Sequence, residues 1–200
     1  MLVKYGLLVV AYLLGAIPFS IILGKKYKGI DVREHGSGNP GGTNSVRFLG
    51  RKIGMWVMFL DGSKAALIIL LIRFKVLDSS QLDLFHPLAY GLAATFGHVF
   101  SVYIRFKGGK AVAATVGTFV AFNPIHALAM FAMFLLSLKV IKYVSIASTV
   151  AGLTIVVVSL IARDYTTTLY CVTFSLLIIF RHKKNYQNIK NHVEPKVTWI

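Results

Sequence analysis

Seven stretches of this chain are apolar enough to lie in a lipid bilayer, and short polar segments rich in Lys and Arg separate them. They run approximately over residues 3–24, 52–73, 85–104, 110–122, 125–138, 143–162 and 166–180, against the ~20 residues a helix needs to cross hydrocarbon. Composition agrees: 56% of the residues are hydrophobic, 14% are charged and the mean hydropathy is +0.69, values of a membrane protein rather than a soluble domain. The expectation is an all-α integral membrane protein, one polytopic domain over residues 1–200.

Charge placement sets the orientation, because Lys and Arg accumulate in short cytoplasmic loops. With seven transmembrane helices, 17 of the 22 basic residues fall on one side, four (Lys4, Arg73, Lys75 and Arg163) on the other, and Lys64 lies inside the second span. The N-terminus is therefore expected outside and the C-terminus in the cytoplasm. The fourth and fifth stretches, joined only by Asn123 and Pro124, could form one kinked span or a pair of half-depth helices, but merging them would weaken the asymmetry. The first stretch is longer than the apolar core of a signal peptide and is followed by a basic cluster that would hold it in the membrane. A single Cys171 excludes an intramolecular disulfide and a cysteine metal cluster. The net charge of +15 hugs the span ends, so anionic lipid head groups account for it and nucleic acid is not expected.

Polar chemistry gathers on the predicted cytoplasmic side. Residues 36–44 read GSGNPGGTN: Gly36, Gly38, Gly41 and Gly42 permit backbone turns in which successive N–H groups face inward, and Ser37, Asn39, Thr43 and Asn44 can add side-chain hydrogen bonds. Such a loop suits an anion, phosphate above all; the same residues also build ordinary turns. Asp61 and Lys64, three apart on one helix face deep in the second span, are flagged as functional by their place in the membrane, either as a structural ion pair or as an anion site in which Asp61 holds Lys64. His98 lies about two turns from the end of the third span. Beyond it, Phe106–Lys110 read FKGGK, where Lys107, Gly108, Gly109 and Lys110 are expected to aim free N–H groups and two charges at one place. The spacing is not that of a nucleotide-binding loop. Arg181, His182, Lys183, Lys184 and Asn185 open the tail, with Glu194, Pro195 and Lys196 beyond.

In order and spacing, GSGNPGGTN with Arg47, DGSK, GHVFSVYIRFKGGKAVA and RHKKNYQNI followed by EPK resemble the signatures of the acyl-phosphate-dependent glycerol-3-phosphate acyltransferases of bacteria, the PlsY type. The resemblance covers nearly the whole chain. It implies transfer of a fatty acyl group from acyl phosphate to the sn-1 hydroxyl of glycerol 3-phosphate, giving lysophosphatidic acid and phosphate, the first step of phospholipid biosynthesis. It implies independence of acyl-CoA, no cofactor or metal, no obligate protein partner, and a site facing the cytoplasm from the inner membrane. It assigns activity to Ser37, Arg47, His182 and Asn185, substrate binding to Gly108 and Gly109, and structural integrity to Glu194. The chain departs from the family at Ala65 and His192, where glycine is usual, and at Asn188, where arginine is common.

The chemistry can also be read from the residues. Phosphate leaves an acyl phosphate as a stable anion, so the site must mainly neutralise charge, a task for Arg47, Lys64, Lys107 and Lys110. The attacking alcohol loses a proton, for which His98, His182 or the substrate's own phosphate is suited. Ser37 is expected to orient substrate rather than to carry the acyl group. The alternative is a small anion or phosphate transporter, which would need a polar pathway through the outer half; the enzyme reading instead expects outer-loop changes such as Asp78→Ala or Gln81→Ala to be tolerated.

Overall fold

The computed structural model describes residues 2–78 and 82–197; Gln81 lies outside them. Every regular element among the described residues is helical, and the chain divides into two compact units, residues 1–122 and 123–200. The first unit contains α1 (Leu2–Ala16), α2 (Phe19–Lys28), a 3-10 turn (Val32–Glu34), α3 (Gly42–Leu49), α4 (Arg51–Arg73), α5 (Pro87–Val99), a second 3-10 turn (Val102–Ile104) and α6 (Val112–Phe122). The second contains α7 (Pro124–Ile141), α8 (Val144–Ile161), α9 (Tyr165–Arg181) and α10 (Lys183–Lys190). Among the described residues, five segments are long and apolar enough to cross a membrane: Leu2–Lys28, Arg51–Arg73, Pro87–Ile104, Pro124–Ile141 and Val144–Ile161. Helices α6 and α9 are apolar but shorter.

In lipid a polar group without a partner, on side chain or backbone, costs several kcal/mol, and the helices show how that cost is avoided. Thr95, Thr118, Thr154 and Ser175 each return their hydroxyl to the carbonyl four residues earlier. The first span, expected as one helix over 3–24, breaks between α1 and α2 because Pro18 has no N–H and its ring clashes with the preceding turn. Two carbonyls at the break are taken up from elsewhere in the chain: Ser101 Oγ, just after α5, donates to Ala16 O at 2.5 Å, and Lys64 Nζ of α4 to Ile17 O at 2.7 Å.

Without a hydrophobic driving force between helices, packing in lipid relies on small residues that let backbones touch. In the first unit α1 packs on α5 and α4 on α6. A Cβ at Gly15 would collide with the Ala94 backbone, one at Gly97 with Tyr12 O, and one at Gly117 with Gly62 O. A Cβ at Gly91 would meet the Thr118 side chain. These four glycines are therefore contact points between helices.

In the second unit α7 packs on α8 and α8 on α9. Asn123, in extended geometry, accepts the Ile125 N–H at 3.0 Å, and Pro124 occupies the first helical position. This stop and restart separates α6 from α7. Helix α7 runs beyond the expected 125–138 to Ile141, because Lys139 fits its last turn and Lys142 ends it at a φ of 65°.

Candidate active site

The 36–44 loop is fastened at both ends. Asp31 caps the first 3-10 turn by accepting the Arg33 N–H, and its carboxylate takes the Arg33 guanidinium at 2.6 Å. That guanidinium holds the Asp31 carboxyl below its ordinary pKa of 3.8. Asn44 donates from its side-chain amide to Val32 O at 2.8 Å and His35 O at 3.0 Å, and its Oδ1 accepts the Ser37 N–H. Gly36 and Gly38 take φ values of 58° and 68°, which favour glycine.

Two sequence expectations are corrected here. Asn44, read as a substrate ligand, is 3% exposed and its side chain is committed to the loop's own backbone. The inward-facing row of amides is also not free: the N–H groups of Ser37, Gly38, Asn39 and Gly41 bond to Asn44 Oδ1, His35 O, Ser37 Oγ and Asn39 O. What the loop presents is the start of α3. Gly41 is extended there and no side chain caps the helix, so the first-turn amides and the positive end of the helix dipole stand at Gly42 and Thr43. Ser37, Thr43 and Arg47 are exposed, and Arg47 lies one turn beyond Thr43 on the same face.

A narrow cleft in the first unit is lined by Pro40, Asp61, Lys64, His98, Gly108 and Gly109, together with the Ala16–Pro18 break and Ser101. Asp61 Oδ1 is 2.7 Å from Lys64 Nζ and 3.6 Å from His98 Nδ1. All three are nearly buried, at 2%, 7% and 6% exposure. Removing one partner of such a pair typically costs about 3–5 kcal/mol, because the other charge stays buried without compensation. The Phe19 ring lies 5.6 Å from the ammonium.

His98 falls in the last turn of α5, not two turns from a helix end, because α5 stops at Val99 and the chain turns through the second 3-10 segment. The FKGGK segment then folds back along it. The Gly108 N–H donates to Val99 O and the Gly109 N–H to His98 O, both at 2.9 Å. The expected free amides are thus engaged, and the glycines serve close approach: a Cβ at Gly108 would strike His98 O, and one at Gly109 the His98 ring. Lys107 is exposed, Lys110 half-buried, and α6 starts at Val112 rather than 110. Ala111, fully buried between them, adopts a φ of 70°.

The tail residues lie in the second unit. His182, 3% exposed, places Nδ1 2.8 Å from Ile178 O; a carbonyl only accepts, so Nδ1 carries the hydrogen. Asn185 donates to Glu194 Oε1 at 2.7 Å, Asn188 to Oε2 at 3.2 Å, and Ser145 to Oε1 at 3.4 Å. Glu194 thereby staples the tail to the start of α8, and the Val197 N–H adds a bond to Lys142 O. His192 has a φ of 59°, the left-handed geometry for which glycine is the usual choice.

The first unit thus assembles Asp61, Lys64, His98, Gly108 and Gly109 and carries the loop with Ser37 and Arg47, while the second carries His182, Asn185 and Glu194. Ser101 and the Ile17 carbonyl were not anticipated. The proline inside an apolar run and the serine at the end of another were the available signals.

The helical architecture, its candidate spans and its buried ionic cleft define an integral membrane protein with a polar site. Residues 5–192 match the family model described as glycerol-3-phosphate acyltransferase, and the chain belongs to that enzyme family. A glycerol-3-phosphate acyltransferase from Bacillus cytotoxicus is 41% identical over 199 residues, covering 100% of this chain and 98% of the relative. One from Bacillus subtilis is 40% identical, with 97% of each chain covered. Among solved structures, PlsY (YgiH), an integral membrane glycerol 3-phosphate acyltransferase, in its glycerol 3-phosphate form has a TM-score of 0.86 at 34% identity, covering 98% of this chain and 96% of its own. The lysophosphatidic acid form has a TM-score of 0.84.

Proposed function

We propose that this protein moves a fatty acyl group from acyl phosphate to the sn-1 hydroxyl of glycerol 3-phosphate, without acyl-CoA. The proposal includes seven membrane crossings in one catalytic domain, an outside N-terminus, a cytoplasmic C-terminus and a site open to the cytoplasm of a bacterial inner membrane. The observation that carries it is the buried Asp61–Lys64–His98 cluster in a cleft edged by Gly108 and Gly109, in a chain of this family. Family membership favours the enzyme over the transporter.

In this reading the hydroxyl oxygen attacks the acyl carbonyl carbon, the bond from that carbon to the phosphate oxygen breaks, and phosphate leaves with the electron pair. The hydroxyl proton passes to the substrate's own phosphate. Lys64 binds the phosphate of glycerol 3-phosphate, the start of α3 with Ser37 and Arg47 receives the second anion, and Lys107 and Lys110 lower the repulsion between them. Positioning supplies much of the rate. No enzyme nucleophile intervenes, so no acyl group should be trapped on Ser37 by mass spectrometry.

The test is lysophosphatidic acid formation by purified protein in lipid, given glycerol 3-phosphate and either a long-chain acyl phosphate or the matching acyl-CoA, with EDTA present. Product from acyl phosphate alone is expected. Product from acyl-CoA alone would overturn the donor, and none from either the reaction.

A further inference from the structure

The ammonium of Lys64 has three N–H donors, and the fold fixes two of them. One meets Asp61 Oδ1 at 2.7 Å, from the same helix; the other meets Ile17 O at 2.7 Å, across from α1. The Ile17 carbonyl, which also accepts the Phe19 N–H at 3.2 Å, can face Lys64 because Pro18 interrupts the first span. An unbroken helix would give it to the N–H of residue 21, and that N–H instead turns to Pro18 O. The break is in turn held by Ser101, whose hydroxyl, 2% exposed, donates to Ala16 O. Ser101 follows α5, so the residue next to the break is tied to the segment that carries His98. Ala16, Ile17, Pro18, Lys64 and Ser101 all line the cleft.

We propose that Ser101 is a positioning residue: by holding the Pro18 break it fixes the Ile17 carbonyl, which orients Lys64 so that its remaining N–H meets the phosphate of the substrate. The inference rests on the proposed function for the identity of that anion, and on geometry alone for the device. A flexible lysine loses rotamer freedom on binding, and a cation pinned in advance by two acceptors has already lost it. The device therefore acts on anion affinity and leaves the acyl transfer step alone.

The experiment compares wild type with Ser101→Ala in lipid nanodiscs, reading KM for glycerol 3-phosphate, kcat, and the dissociation constant of inorganic phosphate by calorimetry. The expected result is a rise of roughly tenfold in both KM and the phosphate constant, the size of one lost charge-assisted hydrogen bond, with kcat within about twofold. A lower kcat at unchanged KM and unchanged phosphate affinity would mean that Ser101 only packs the helices, and would overturn the proposal. Pro18→Ala, which returns the Ile17 carbonyl to the helix, serves as the second variant and should move the same two constants in the same direction; unchanged constants there would also overturn it. Wild type that binds phosphate with this dependence on residue 101 but transfers no acyl group would sink the reaction reading and leave the positioning intact.

Discussion

At the scale of the residue, two neighbouring positions carry opposite expectations. Gly109 touches the His98 ring where a side chain would begin. Gly109→Ala should push that ring off Asp61 and lower kcat/KM about a hundredfold, as misplacement of about 1 Å can, with the amount of folded protein little changed. Ala111 holds a left-handed backbone at a φ of 70°, which costs a non-glycine residue about 1 kcal/mol or more. Ala111→Gly should raise the thermal midpoint by about 2–4 °C per kcal/mol of strain relieved and leave turnover intact. The letters of FKGGK announced a special place but misled about its physics. Free amides and engaged amides are spelled by the same glycines, and only the fold-back onto Val99 O and His98 O distinguishes them. Likewise, the Asp61–Lys64 pair was legible from a spacing of three, whereas its link to His98 depends on how two helices meet.

At the scale of the element, apolar patterning located the long helices but not α3 or α10, which lie in stretches read as a loop and a tail, and the capping residues Asn123 and Pro124 marked one boundary. The break at Pro18 was missed because hydropathy averaged over a window does not register a missing N–H. Gly97 sits on the Tyr12 carbonyl where α5 crosses α1, so Gly97→Val cannot be absorbed by moving a side chain. It should cost about 3 kcal/mol or more and show as loss of folded protein in detergent. The 31–44 loop carries a pH expectation. The Asp31 pKa is depressed by Arg33, so its stabilising effect is fully present above the ordinary value of 3.8 and is lost as pH falls through the lower folded value. The thermal midpoint of wild type minus that of Asp31→Asn should therefore be constant above about pH 5 and shrink below pH 4.

At the scale of the whole molecule, the proposed reaction uses none of the residues assigned to the outer loops, so changes there should be tolerated. Asp78→Ala should leave turnover nearly unchanged; a tenfold loss in well-folded protein would instead point to a pathway through the membrane. The same bundle places a demand on its own synthesis. The Ala16 carbonyl finds its donor in Ser101, 85 residues later in the chain. At about 5–20 residues per second, the first span therefore waits roughly 4 to 17 s, with an open carbonyl at its proline break, before the ribosome delivers the hydroxyl that closes it.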